Sequence, residues 1–139
     1  MNILPISFVK NMGKLSIFQT PTEEQISFPL KNDLEYAPET QYYLGIRPEN
    51  IEILGDDSLF FGNKLNGTIF LSENLGGEGF VHVALKDGTQ MVVKSRKATT
   101  DPVGSVVRLG FSFENCYLFD ENCNTIFGIE TCSGQQTKD

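Results

Sequence analysis

LGIRPENIEIL at residues 44–54 gives the first indication of the fold, because LGFSFENCYLF repeats its pattern at residues 109–119. Leucine, glycine, glutamate and asparagine recur in register. In both copies an extended segment reaches a glycine, turns at a Glu-Asn pair and continues as a second apolar segment. Strands joined by such compact turns are typical of small β-barrels. The repeat therefore predicts two related β-rich halves, and we call these stretches the first copy and the second copy.

The composition is that of a folded protein with an acidic surface. The chain has 139 residues, of which 40% are hydrophobic and 11 are phenylalanine, so it can form one domain or two small intertwined halves. Eighteen acidic residues against eleven basic ones give a formal charge of −7. Because nucleic-acid binding relies on cationic side chains that neutralise phosphates, this balance disfavours a nucleic-acid partner.

Cysteine usage and hydropathy indicate a protein that is not exported. Cys116, Cys123 and Cys132 are odd in number and His82 is the only histidine, so neither a disulfide framework nor a zinc site is expected. No apolar stretch approaches the ~20 residues that span a bilayer, and the first residues lack the pattern of a signal peptide. The sequence therefore predicts a soluble protein in a reducing cytoplasm.

The hydrophobic pattern predicts an all-β fold. No window shows sustained helical spacing, and at least eight short strands are separated by turns. A small β-barrel is therefore the expected architecture. The expected strands lie at residues 3–8, 15–18, 26–30, 42–46, 67–71, 80–85, 91–93, 106–111, 117–119 and 125–129.

Turn residues predict how these strands are connected. Asp87-Gly88 lies between two apolar strands, which predicts a hairpin with a type I′ turn. A polar connector with paired aspartates predicts that the two halves meet near residues 55–65. The polar residues 133–139 are expected to form a disordered tail.

No motif in the chain is typical of an active site. The glycine-rich segment at residues 75–79 lacks the lysine of a phosphate-binding loop, so we interpret it as a strand connector that needs positive φ. A structural role is expected for His82, which has no second histidine to complete a metal site. Adjacent acidic pairs lie in turns and do not converge as acid/base catalysis requires. We therefore expect no catalytic, cofactor or metal-binding residue.

Arg47-Pro48-Glu49 is the polar cluster with the clearest geometry. Pro48 forces Arg47 into an extended conformation, and it can begin a helical turn with Glu49 in a favourable first position. Arg47 then either pins the turn between strands or binds a ligand directly. The residues themselves favour the structural role and leave the partner of Arg47 open.

Three motifs in the right order, and a shorter stretch at the start of the sequence, resemble the ATP-binding subunits of maltose- and glycerol-3-phosphate-type ABC importers. Residues 44–51 resemble the LGIRPEH motif of that family, and residues 116–120, ending in Phe119 and Asp120, resemble its closing CHLFD segment. Residues 1–5 resemble a Met-Asn-Phe stretch that follows the nucleotide-binding domain. Between the LGIRPEH and CHLFD motifs the family has a further signature, which is resembled by Glu73, Leu75, Gly76 and Glu78. The resemblance covers the C-terminal part of the family, since the chain has neither Walker motif nor ABC signature.

The resemblance implies a transport-associated OB (TOBE) regulatory domain over residues 1–132. In this family, OB-type barrels of two subunits help to hold the ATPase dimer together at the cytoplasmic face of the membrane. The implied partners are a second copy of the subunit, the membrane subunits of the transporter and, in maltose-type members, a regulatory protein. ATP and Mg²⁺ would bind to a nucleotide-binding domain that this sequence lacks. Gly45, Gly67 and Glu73 match family positions implicated in regulation.

Two other functions stay open from the sequence. Related domains in molybdate systems hold oxyanions between barrels, so the chain is alternatively a stand-alone TOBE-type oxyanion binder whose backbone amides around Gly76-Gly77 form a nest. An OB-fold nucleic-acid binder would need aromatic side chains beside a basic groove, and the sequence indicates no such groove. The transported solute is not predicted, because selectivity in such importers resides in other subunits.

Overall fold

A computed structural model gives the fold of the chain and describes residues 1–29, 36, 40–55, 59–76, 78–95 and 101–127. These residues form eleven β-strands and two short 3₁₀ turns, arranged in two sheets. The all-β prediction is confirmed. No helix among the described residues is long and apolar enough to cross a membrane.

The first sheet has six strands in the order β11-β10-β4-β1-β2-β3. Burial alternates along β1, as expected for a strand with one face on a core. β1 and β2 pair through a tight turn in which Gly13 has φ +60°. The strands are β1 (Asn2–Met12), β2 (Leu15–Gln19), β3 (Gln25–Pro29), β4 (Gln41–Ile46), β10 (Cys116–Phe119) and β11 (Thr125–Phe127).

The second sheet has five strands in the order β5-β9-β6-β7-β8, and its pairs are antiparallel. Its two edge strands, β5 and β8, also approach each other, so the sheet curls toward closure. β6 is longer than predicted because its pairing with β9 begins at Asn63. The strands are β5 (Glu52–Leu54), β6 (Asn63–Asn74), β7 (Gly79–Ala84), β8 (Gln90–Ser95) and β9 (Val106–Phe111).

The chain forms two compact units, each with its own core. The first unit holds most of residues 1–45 and the chain from residue 116, and its core is aromatic: the Phe18 ring packs edge-on against those of Phe8 and Phe28. The second unit holds residues 46–115 together with Asn2. Its core is mainly aliphatic and includes Leu65, Ile69, Val81, Val83, Met91, Val93, Val107 and Leu109.

The division into units differs from the predicted meeting point near residues 55–65. That segment lies within the second unit, apart from residues 56–58, which are outside the described residues. The chain changes unit inside each copy of the repeat instead. β5 of the first copy pairs with β9 of the second, and β10 of the second copy lies beside β4 of the first. Turn residues mark where a chain bends, but they do not say which strands pair.

The hairpin between β7 and β8 forms as predicted, but its turn is of another type. Val81 pairs with Val93 and Val83 with Met91. A type I′ turn needs positive φ at both central residues, yet of Asp87 and Gly88 only the glycine has it, at +89°. The loop closes as a longer turn, in which the Leu85 N–H donates to the Thr89 carbonyl and the Gly88 N–H donates to the Leu85 carbonyl. The Asp87 carboxylate supports this turn by accepting a hydrogen bond from the backbone N–H of Thr89.

The cysteines correct a third prediction. Cys123 is disulfide-bonded, whereas the sequence led us to expect no disulfide. The other cysteine in the described part of the chain, Cys116, is a buried thiol outside that bond. Sequence spacing could not predict the bond, because a disulfide depends on the distance between Cα atoms in the fold.

Candidate functional site

The turn in each copy of the repeat is a short 3₁₀ turn with the same internal hydrogen bond. The Asn50 N–H donates to the Arg47 carbonyl at 3.0 Å, and the Asn115 N–H donates to the Ser112 carbonyl at 3.0 Å. Arg47 is extended, with φ −71° and ψ 145°, and Pro48 begins the first turn. The predicted conformations are confirmed. Glu49 lies in the first turn, where a negative charge is favourable.

Gly45 lies buried in β4, in the first unit. A Cβ at this position would be 2.8 Å from Phe119 Cε2 and 3.0 Å from Met1 Sδ. The close approach of the Phe119 ring therefore requires a residue without a side chain. A partner protein cannot reach Gly45 directly while this packing holds.

Gly67 lies buried in β6, in the second unit. A Cβ here would overlap Val83 Cγ1 and lie 3.2 Å from the Ala84 carbonyl oxygen. The glycine thus allows β6 and β7 to pack closely. Both glycines are accounted for by packing, and their matches to regulatory positions of the family stay predictions.

Glu73, in contrast, presents its carboxylate to solvent near the end of β6. Its Oε1 atom lies 2.6 Å from His82 Nε2 on the neighbouring strand β7. The Phe70 ring lies 5.9 Å from the imidazole, centre to centre. Glu73 is therefore held in one orientation by a neighbour that the sequence did not connect to it. The structural role predicted for His82 agrees with this contact.

The loop between β6 and β7 carries two more residues of the resemblance. Gly76 has φ +65°, the left-handed conformation predicted for this connector, while Gly77 lies outside the described residues. The Leu75 N–H donates to the Glu78 carbonyl at 2.8 Å and closes the loop. The Glu78 carboxylate lies 3.7 Å from Lys94 Nζ, an exposed pair that contributes little to stability.

Phe119 and Asp120 end the second copy and serve the fold in different ways. The Phe119 side chain is fully buried. The Asp120 carboxylate accepts hydrogen bonds from the N–H groups of Asn122 and Asn124, both at 2.9 Å. It therefore organises the turn that leads to β11, as aspartate does at many turns.

The two copies also line one polar cleft in the second unit, which the sequence analysis missed. We call it the carboxylate cleft; its volume is about 160 Å³. The first copy contributes Glu49, Asn50 and Glu52, and the second copy contributes residues from the end of β9 and from its 3₁₀ turn. The lining residues are Glu49, Asn50, Glu52, Phe60, Gly110, Phe111, Ser112 and Asn115.

The lining of the carboxylate cleft gives it a negative character. Glu49 and Glu52 are exposed and have no ion-pair partner among the described residues. Arg108 on β9 donates to the Gly55 carbonyl and is not part of the lining. The one signal in the sequence was the Glu-Asn pair in both copies, since strand pairing brings these turns together.

The described residues contain no cluster of three or more His, Cys, Asp or Glu side chains suited to a metal ion. Residues 30–35, 37–39, 56–58, 77, 96–100 and 128–139 are not covered by that statement.

Comparison with known proteins relates the chain to transport proteins. Over 83 residues it is 31% identical to the sn-glycerol-3-phosphate import ATP-binding protein UgpC of Brucella abortus (strain 2308) and to that of Brucella suis biovar 1 (strain 1330). The match covers 59% of this chain and 24% of each relative. The chain therefore matches about a quarter of the length of these relatives.

A solved structure shares the fold. The cytoplasmic molybdate-binding protein ModG, in a form with molybdate bound, superposes with a TM-score of 0.67 at 15% sequence identity, covering 84% of this chain and 94% of ModG. This similarity confirms the predicted OB-type, TOBE-like architecture. The TOBE domain family itself matches residues 44–119, more than half of the chain and the span from the start of the first copy to the end of the second. The chain therefore belongs to the TOBE domain family.

Proposed function

We propose that this chain is the regulatory and dimerisation module of the ATP-binding subunit of an ABC importer for carbohydrate or glycerol phosphate. The observation that carries the proposal is the family membership together with 31% identity to a subunit named for glycerol-3-phosphate import. The module itself would hydrolyse nothing. ATP and Mg²⁺ would act in the nucleotide-binding domain of the parent subunit.

The proposed partners are a second copy of the subunit, the membrane subunits of the transporter and a regulatory protein. The module would work in the cytoplasm, at the inner face of the membrane. Its packing supports different roles for the three residues matched to regulatory positions. Glu73 is exposed and can touch a partner, whereas Gly45 and Gly67 are buried and would act by keeping the strands in place.

A chimeric transporter tests this proposal. The full 139-residue chain replaces the TOBE-containing portion of the Brucella abortus relative, and the chimera is assayed for dimerisation by light scattering and for ATPase activity with its membrane subunits. We expect a dimer with transport-coupled ATPase activity. The control chimera carries Glu114→Gln in the exposed second 3₁₀ turn, which should leave both readouts unchanged. A folded chimera that stays monomeric or fails to couple ATP hydrolysis to transport would contradict the proposal.

The second candidate is a stand-alone module that binds a small oxyanion, since the solved structure of the same fold holds molybdate. The carboxylate cleft does not favour this function, because Glu49 and Glu52 would repel an anion. Calorimetric titration of the chain with molybdate, sulfate and glycerol phosphate separates the candidates. Stoichiometric binding of molybdate or sulfate would favour the second candidate, and no heat with any of the three would leave the first in place.

A further inference from the structure

We infer that the carboxylate cleft, together with the exposed residues Leu59 and Phe61 that adjoin its lining residue Phe60 in sequence, is a docking site for a partner protein that inserts an arginine flanked by apolar residues. The inference stands on the second unit alone and does not rest on the transporter proposal. It also concerns other residues than Gly45, Gly67 and Glu73.

The charge of the cleft selects a cationic group. Two acidic residues, Glu49 and Glu52, line it, and the described lining includes no basic residue to neutralise them. Asn50 and Asn115 also line it, one from each copy of the repeat, and the amide oxygen of an asparagine accepts hydrogen bonds. An arginine guanidinium presents five N–H donors in a planar fork, which suits a site rich in acceptors. An anion or an apolar group would leave these acceptors unsatisfied.

Phe60 adds an aromatic wall in a fixed position. A Cβ on Gly62 would lie 2.5 Å from Phe60 Cε2, and one on Gly110 would lie 3.0 Å from the same atom. The ring therefore rests directly on two glycines, which limits its rotation. A cation over the face of a phenyl ring is attracted by the negative charge of that face, and the attraction is stronger when the cation is partly desolvated.

The size of the cleft fits one side chain and not a larger ligand. Its volume of about 160 Å³ equals that of about five water molecules at ~30 Å³ each. Pockets for drug-sized ligands begin at about 300 Å³. A guanidinium with its adjoining methylene groups fills a space of this size, while the rest of a partner stays outside.

Two exposed apolar residues offer a surface to the part of the partner protein that stays outside the cleft. Leu59 is 89% exposed and Phe61 is 98% exposed, and they flank the Phe60 wall in sequence. Single exposed apolar residues are common, but two within three consecutive residues give a partner apolar surface close in the chain to a charged contact. Because the chain carries a net charge of −7, a basic partner is also favoured at longer range.

The test is an NMR titration of the ¹⁵N-labelled full chain with the peptide acetyl-Leu-Arg-Leu-amide and with its counterpart in which citrulline replaces arginine. Citrulline has the shape of arginine without its charge. We expect the arginine peptide to shift the amide signals of Phe60, Gly110 and Asn115, and the citrulline peptide to bind at least about fivefold more weakly.

Matched variants assign the contacts. Glu52→Gln should weaken the arginine peptide about fivefold, whereas Glu114→Gln, the same change at the repeat position equivalent to Glu49 but outside the lining, should not. Phe61→Ala should weaken binding, and Leu75→Ala, an exposed apolar residue on another loop, should not. All four positions are exposed, so the variants should fold.

Three outcomes would overturn the inference. The first is an absence of shifts at millimolar arginine peptide. The second is equal binding of the citrulline peptide. The third is a dependence of the Phe60 and Asn115 signals on protein concentration without peptide, which would assign the cleft to a second copy of this chain.

Discussion

The two copies of the repeat start alike and end differently. β5, at the end of the first copy, is an edge strand of three residues, and its terminal residue Leu54 is 9% exposed. β10, at the end of the second copy, lies between β11 and β4, and its terminal residue Phe119 is 0% exposed. The same sequence pattern therefore forms a short edge strand in the second unit and a strand between two others in the first unit. The end of the first copy is paired on one side and the end of the second on both sides, in line with the deeper burial of Phe119.

The copies are also reciprocal. The glycine of the first copy, Gly45, packs against Phe119 at the end of the second, and the glycine of the second copy, Gly110, packs against Leu54 at the end of the first. Each glycine makes room for the last apolar residue of the other copy. This exchange explains why the glycine recurs in the repeat.

The largest expected effect is the loss of the Phe119 side chain. Phe119→Ala should lower the free energy of unfolding by about 4 kcal/mol, and Leu54→Ala by about 2 kcal/mol, because a fully buried ring leaves a larger cavity than an edge leucine. Urea denaturation followed by circular dichroism measures both. The exposed Leu59→Ala variant is the control and should change stability by less than about 0.5 kcal/mol. Equal losses in the free energy of unfolding for Phe119→Ala and Leu54→Ala would contradict the deeper burial of the second copy.

Substituting alanine for Gly45 and for Gly110 tests whether the two copies tolerate an added side chain equally. Gly45→Ala should cost about 2 kcal/mol and Gly110→Ala about 1 kcal/mol. A Cβ at Gly45 would be 2.8 Å from the buried Phe119 ring, while the nearest atoms at Gly110, those of Leu54 and Phe60, lie at 3.0 Å, so a smaller displacement is needed there. The same denaturation experiment measures the costs.

Two further variants check this explanation. Gly55 has no atom within 4 Å of its Cβ position, so Gly55→Ala should be close to neutral. Replacing Phe119 with leucine in the Gly45→Ala background should recover part of the lost stability. If it recovers none, the Phe119 contact is not the cause.

The smallest expected effect concerns Cys116, which occupies in the second copy the position of Ile51 in the first. Burial raises the pKa of the Cys116 thiol from 9.0 to about 12. The folded protein thus keeps a proton that the unfolded chain releases, so this contribution to stability is complete below pH 9 and is lost as the pH rises toward 12. At pH 10 the loss should be about 1 kcal/mol.

The measurement compares unfolding of the chain and of Cys116→Val at about pH 8 and pH 10, on either side of the ordinary thiol pKa. The variant should lose less stability than the chain over this interval. Rapid reaction of Cys116 in the folded protein with a thiol reagent at the lower pH would contradict the buried, protonated state.

Much of the fold could be predicted because alternation along a strand reports its faces. The strand at residues 106–111 was predicted with its observed limits, and Pro48 gave the extended Arg47 and the turn that follows. The turn at Asp87 was predicted in place but not in type, since a side-chain hydrogen bond to Thr89 selects among turns of similar sequence. The disulfide of Cys123 could not be predicted from spacing.

The candidate site was less predictable than the fold. Glu73 and His82 form a contact because β6 and β7 pair with a register shift between Ile69 and Leu71. No local pattern in the sequence reports such a shift. The carboxylate cleft likewise joins residues 49–52, 60 and 110–115, which only strand pairing brings together.

Residue order alone was enough to predict the all-β class, the repeat with its two matching turns and the family resemblance, which the family match confirmed. These properties depend on local order: side-chain alternation, a proline that fixes φ, and motifs that are contiguous in the chain. The folded chain was needed to find that each copy pairs with the other, that Gly45 and Gly67 are packing positions, and that two turns share one acidic cleft. Those properties depend on contacts between residues far apart in the chain, and periodicity specifies a buried face without naming what covers it.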